Sequence, residues 1–294
     1  MQYQRTFSDY VFDAVKAVIL VLVIAVTLYP VIYVLSMSIS NPRAALRGDV
    51  FLWPIGFSRR AYEVVFANPE MWTYYGNTLW YTVIGTICSV VATVLGGYPL
   101  SKERFFARKF FMVLITVTMF FGGGLIPTYL VVTKLGLYNN RWAMILPSLT
   151  SAWYIIVCRS FFQTLPEDLF ESARLDGASE FRILLQFAVP LSKPILATLS
   201  LYYGVGYWNS FFPAVLYLGD SKLHPVQIYL RRVVIQSSPE AMQNFDMSTI
   251  GGGILAMMQV KYAVIVVTIL PIIMLYPFLQ KYFVKGMLIG SLKD

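Results

Sequence analysis

A chain of 294 residues that is 57% hydrophobic and only 13% charged, with a mean hydropathy of +0.64, is too apolar for a soluble domain, where about a quarter of residues carry charge. Composition therefore points to an integral membrane protein. A net charge of +8 would by itself suit a nucleic-acid partner, but in a chain this apolar it fits basic residues placed beside lipid headgroups, where they set topology.

Crossing a bilayer takes about 20 consecutive apolar residues. Runs of that kind fall at about 14–35, 77–98, 110–132, 141–162, 194–217 and 262–283. The first is longer than a signal-peptide core and no A-x-A-like site follows it, so it is expected to be a retained span. Segment 36–76 reads as an irregular loop leading to Ser58, which would cap an amphipathic helix through Phe66. Lys102, Arg104, Arg108 and Lys109 crowd the short connection after the second span, whereas the next connection, Thr133 to Asn140, holds only Lys134. The positive-inside rule then makes the first of these cytoplasmic, and with six spans both termini are cytoplasmic too.

Residues 166–190 lie between two apolar runs and are polar. Pro166, Glu167 and Asp168 suit a first helical turn, Gly177 stops that helix, and Ser179 caps a second before Pro190 and Pro194. A helix, a glycine turn and a helix are expected on the cytoplasmic side. Leu169 and Ala173, with Phe170 adjoining, would form the apolar side of the first helix. The last external connection, 218–259, holds the single histidine, His224, as a loop residue, and Arg231 and Arg232, which read as a solvated pair or as contacts for an acidic partner or anionic substrate. Gly251 to Gly253 lead into Ile254–Met258, a short helix or re-entrant piece. One membrane domain, 1–294, is expected, without a soluble domain or short repeat.

What the chain lacks narrows its energy source. The central parts of the spans hold no Asp, Glu, Lys, Arg or His, the groups that ion-coupled transporters use as relays. There is no G-x-x-x-x-G-K-[ST] phosphate loop, and no H-E-x-x-H or G-x-S-x-G pattern with an acid–base pair to work with. Cys88 and Cys158 sit inside apolar runs as small packing residues. The sequence therefore argues against an enzyme and offers no metal site or cofactor of its own. A self-sufficient secondary transporter or channel, with a sodium site made of carbonyls and hydroxyls, is the alternative.

Within 166–190, the run Glu171, Ser172, Ala173, then Asp176 and Gly177, then Phe187, Val189 and Pro190 resembles the cytoplasmic EAA loop of ABC importer permeases, whose pattern is E-A-A, three residues, G, about nine residues, I-x-L-P. Ser172, Phe187 and Val189 depart from that pattern by small or apolar substitutions. The carboxy-terminal run from Pro277 through Gly286 to Lys293 is similar to the end of the second permease subunit in the carbohydrate-uptake branch, including polysaccharide and alginate-type importers. The resemblance implies an all-α type I importer permease fold with six transmembrane helices and a cytoplasmic coupling helix, in a bacterial inner membrane. It implies a second permease subunit, two ATP-binding subunits that hold ATP and Mg, and an extracytoplasmic solute-binding protein. Glu171, Ser172, Ala173, Asp176 and Gly177 would then form the ATPase-coupling site. A sugar path needs aromatic faces and hydrogen-bonding groups, for which Tyr203, Tyr207, Trp208 and Asn209, with Gly123 at a candidate helix break, are the candidates. The alternative for each aromatic is packing against a neighbouring helix or anchoring at the interface.

Overall fold

The computed structural model describes residues 6–236 and 259–275, which are mostly helical. Among the described residues, two helices are long and apolar enough to cross a membrane unbroken, Phe7–Ile39 (α1) and Pro69–Ser101 (α4), each of 33 residues. Both overrun the runs read from hydropathy. Polar first turns such as the one carrying Glu70 continue the helix beyond the apolar run, where a hydropathy window does not register them.

The chain groups into two compact units, Met1–Pro69 with Leu230–Leu270, and Glu70–Tyr229 with Pro271–Asp294. In the first, α1 opens on a capping box in which Asp9 Oδ2 accepts from the Thr6 N–H at 2.7 Å. Its most apolar stretch, of mean hydropathy 2.8, has no buried residue, and a helix apolar on every face suits lipid or another membrane helix. Only its last turns are buried, where hydroxyls pin the following loop: Ser36 Oγ donates to Leu52 O at 2.6 Å and Ser40 Oγ accepts from the Ile55 N–H at 3.1 Å. That loop contains a short helix, Pro42–Arg47 (α2), and leads to Arg60–Ala67 (α3), with the Ser58 hydroxyl accepting from the Arg60 N–H at 3.4 Å. Helix Gln259–Leu275 carries the described part of the expected sixth span, and its Gln259 amide donates to the carbonyls of Met37 and Ser40. The Gly251–Met258 stretch and the carboxy-terminal run from Pro277 lie outside the described residues.

In the second unit α4 is the central element. Its buried side runs through Tyr74, Thr78, Tyr81, Gly85, Ser89 and Thr93, a helical stripe in which small and hydroxyl-bearing residues recur. The stretch expected to span at 110–132 is two helices, Arg108–Phe120 (α5) and Leu125–Lys134 (α6), bent by 116° at Phe121–Gly124. Residues 141–162 form 3₁₀ turns and then Ala152–Phe162 (α7), at 57° to each other. The polar stretch provides Glu167–Leu175 (α8), then Glu180–Ile183 (α9), which continues through one π turn to Val189–Leu191 (α10). Lys193–Trp208 (α11) follows at 82°, and the expected fifth span stops at Asn209 before a separate helix, Phe212–Tyr217 (α12). The loop after it is tied to α4, where the Asn77 amide donates to Lys222 O at 2.7 Å and Tyr81 OH to Leu223 O at 2.7 Å. Arg231 and Arg232 stand on helix Val226–Gln236 (α13) rather than in a loop.

Candidate functional site

Helix α8 ends in a Schellman cap. Gly177 adopts φ +81°, its N–H donates to Arg174 O at 2.9 Å, and the Ala178 N–H reaches Ala173 O at 3.0 Å. Ser179 then caps α9, its hydroxyl accepting from the Arg182 N–H at 3.3 Å. The turn places Glu171, Ser172, Asp176 and Gly177 together on the exposed side, while Ala173 faces the core. The buried pair of α8 is Phe170 (1% exposed) and Ala173 (5%), whereas Leu169 is 43% exposed. The expected Leu169–Ala173 side is thus rotated by one residue. Phe170 packs into the core with Phe162, Ala173 and Ile183, and a cation that the sequence assigned to topology alone adds to that cover: Lys102 Nζ lies 3.6 Å from the centroid of the Phe170 ring.

Lys102 belongs to a closed ring of side chains. Its ammonium donates to Glu167 Oε2 at 2.9 Å. Arg174 Nη2 donates to Glu167 Oε1 at 3.1 Å and Arg174 Nε to Glu180 Oε1 at 2.8 Å. Tyr98 OH donates to Glu180 Oε2 at 3.3 Å, and the Lys102 ammonium, 5.4 Å from the Tyr98 ring centroid, completes the circuit. Burial pushes the Glu167 carboxyl up, but the hydrogen bonds from Lys102 and Arg174 outweigh it and hold the group below its ordinary value. The hydrogen bond to Glu180 raises Arg174 against its partial burial, with Glu167 adding to the effect. The ring is not legible in the sequence, because Lys102 and Glu167 lie 65 residues apart and no local pattern pairs them.

Glu171 is held differently. Arg104 Nη2 approaches its Oε1 at 3.3 Å, with the two side chains 72% and 53% exposed. A pair so exposed is worth at most about 1 kcal/mol and is screened by salt. The carboxylate is therefore free to exchange Arg104 for another cation. Glu171→Ala is expected to lower stability by less than about 1 kcal/mol, read as a small shift in the thermal melt of the purified protein.

The candidate path residues divide. Tyr203 and Tyr207 are each 6% exposed, and their hydroxyls pair with Thr93 Oγ1 at 2.7 Å and Ser89 Oγ at 2.9 Å across the α4–α11 seam. Trp208 is 4% exposed and meets Tyr75 edge to face at 5.6 Å. Asn209 is exposed and accepts from the Gln227 amide at 3.4 Å. Gly123 is exposed at the α5–α6 bend. Cys88 and Cys158 are free thiols, the second fully buried.

Residues 89–289 match the family model described as the binding-protein-dependent transport system inner membrane component. The chain belongs to this family. The permease is 41% identical over 289 residues to protein LplC of Bacillus subtilis (strain 168), an alignment covering 98% of this chain and 97% of that one. It is 40% identical over 283 residues, 96% and 98% of the two chains, to the polygalacturonan/rhamnogalacturonan transport system permease protein YtcP of the same organism. Its fold matches, with a TM-score of 0.87 and 37% identity, a chain in the crystal structure of a bacterial ABC transporter involved in the import of the acidic polysaccharide alginate, over 95% of this chain and 99% of that one. A mostly helical type I importer permease, a transporter membrane component, is therefore the fold and class of this protein.

Proposed function

We propose that this permease is half of the translocation path of an ATP-driven, binding-protein-dependent importer of oligosaccharides. The observation that carries the proposal is α8, an exposed helix whose Glu171, Ser172, Asp176 and Gly177 stand clear of the core in a chain without a phosphate loop. Such a helix is a docking element for a separate ATPase, with Ala173 seating it on the body of the permease. Two ATP-binding subunits holding ATP and Mg, a second permease and an extracytoplasmic binding protein complete the machine. Both termini and residues 166–190 face the cytoplasm in this assignment, on the strength of the basic 101–109 connection, and the six spans form one membrane domain.

The relatives named for polygalacturonan and rhamnogalacturonan transport and for alginate import favour uronate-containing oligosaccharides as cargo. Asn209 and Gly123, both exposed, are the better candidates to meet it. Tyr203, Tyr207 and Trp208 act from behind them by holding α11 against α4. The test is gentle purification from the native membrane followed by reconstitution with the binding protein. An ATPase and a second six-span protein should co-purify, and ATP should drive uptake of a labelled oligogalacturonate in preference to a neutral maltooligosaccharide. Gradient-driven flux through the purified chain alone would overturn the assignment, and equal uptake of both sugars would overturn the cargo.

A further inference from the structure

We propose that the Lys102-centred ring is the rod that makes α4 follow the coupling helix, with Lys102 as its positioning residue; the proposal rests on α8 being the ATPase-coupling helix. The ring joins three pieces of chain, the end of α4 with its following turn (Tyr98, Lys102), α8 (Glu167, Arg174) and α9 (Glu180). It spans the Gly177 turn from both sides, since Arg174 precedes the turn and Glu180 follows it. A load applied to α8 or to α9 can therefore pass to α4 through these five side chains as well as through the buried packing beneath them.

Open space flanks the ring. Tyr98, Lys102, Arg174 and Glu180 line a cleft of about 390 Å³, and Lys102, Glu167 and Arg174 line a second of about 330 Å³. Beneath the ring, Phe170, Ala173 and Ile183 pack with Val94 and Tyr98 in one buried cluster, and the ring adds to that packing directional bonds, which, unlike a packed core, are severed by changing one atom type. Lys102 is where severing matters most. It is 12% exposed against 51% for its partner Glu167, and its ammonium lies over the ring of the buried Phe170. Two carboxylates and two cations leave the ring neutral, so its role is geometric.

Lys102→Gln keeps most of the length of the side chain but removes the charge, and water can enter from either cleft, so the fold is expected to survive. Lys102→Arg retains both the ion pair and the ring contact. In the assembled complex, with Cys88 and Cys158 replaced by alanine, spin labels at Leu79 on α4 and Leu175 on α8, both exposed, report whether the two helices move as one. With the native Lys102, and equally with the Lys102→Arg variant, the label distance should be the same with and without bound nucleotide. With Lys102→Gln it should shift and broaden on nucleotide binding, and uptake per ATP hydrolysed should fall about tenfold, the loss of one charge-assisted contact and one cation–π contact. An unchanged distance and coupling ratio in Lys102→Gln, or a nucleotide-dependent distance in the unsubstituted protein, overturns the linkage. Gly177→Pro separates the two proposals: if it uncouples and Lys102→Gln does not, the linkage alone fails, and if neither uncouples, the coupling role of α8 fails as well.

Discussion

Gly177→Pro is expected to abolish coupled uptake while leaving the spans folded. Gly177 sits at φ +81°, and proline is locked near −65°, so the Schellman turn cannot form. The substitution also deletes the N–H that donates to Arg174 O at 2.9 Å. Helix α9 then leaves α8 in another direction, and the Arg174–Glu180 bond, 2.8 Å in the native turn, is broken with it. Uptake per ATP should drop by more than about tenfold, because a strained or rebuilt turn costs at least about 1–2 kcal/mol in the docked geometry. Gly177→Asn is the control. Asparagine tolerates the left-handed region, and a Cβ at this position meets nothing within 4 Å, so this variant should retain most of the coupling. Reconstituted complexes measured for ATP hydrolysis and uptake together decide the matter; a fully coupled Gly177→Pro complex would remove α8 from the mechanism.

Features set by neighbours along the chain are legible in the sequence. The helix–glycine–helix pattern at 166–190 needs only Ser179 as a cap and Gly177 as a stop, and the structure has a helix on either side of that turn. The membrane class and the family are legible too, from composition and from the Glu171-to-Pro190 spacing. Three kinds of feature are not. Helix ends overrun their apolar windows because the polar turns that flank an apolar run are as helical as the run itself. The burial of Phe170 in place of Leu169 is set by its packing with Phe162, Ile183 and Tyr98 and by Lys102 over its ring, which periodicity along α8 cannot see. The hydroxyls of Tyr203 and Tyr207 read as sugar-binding groups in the sequence, where nothing marks their partners on α4, 110 and 118 residues away.

The seam closed by those hydroxyls is the place of a second large effect. A Cβ added at Gly85 would lie 2.7 Å from Cε2, 2.8 Å from Cζ and 2.9 Å from Cδ2 of Tyr207, inside the contact distance of any two carbons. The ring is buried and stands flat on the glycine, so it has nowhere to swing, and Gly85→Leu must push α11 off α4. Overpacking alone costs about 1–3 kcal/mol. Separating the helices also strands the buried Ser89 and Thr93 hydroxyls, bonded at 2.9 and 2.7 Å, at about 1–3 kcal/mol each. A loss of at least about 3 kcal/mol is expected, seen as failure to assemble or a large fall in the melting temperature of the purified complex. Pairing Gly85→Leu with Tyr207→Ala should recover part of it, because the smaller side chain vacates the space the new one needs. The same seam distinguishes packing from transport: if Tyr203 and Tyr207 hold α11 in place, Tyr203→Phe and Tyr207→Phe lower the melting temperature and leave the apparent affinity for cargo unchanged, whereas hydroxyls that contact cargo would do the reverse.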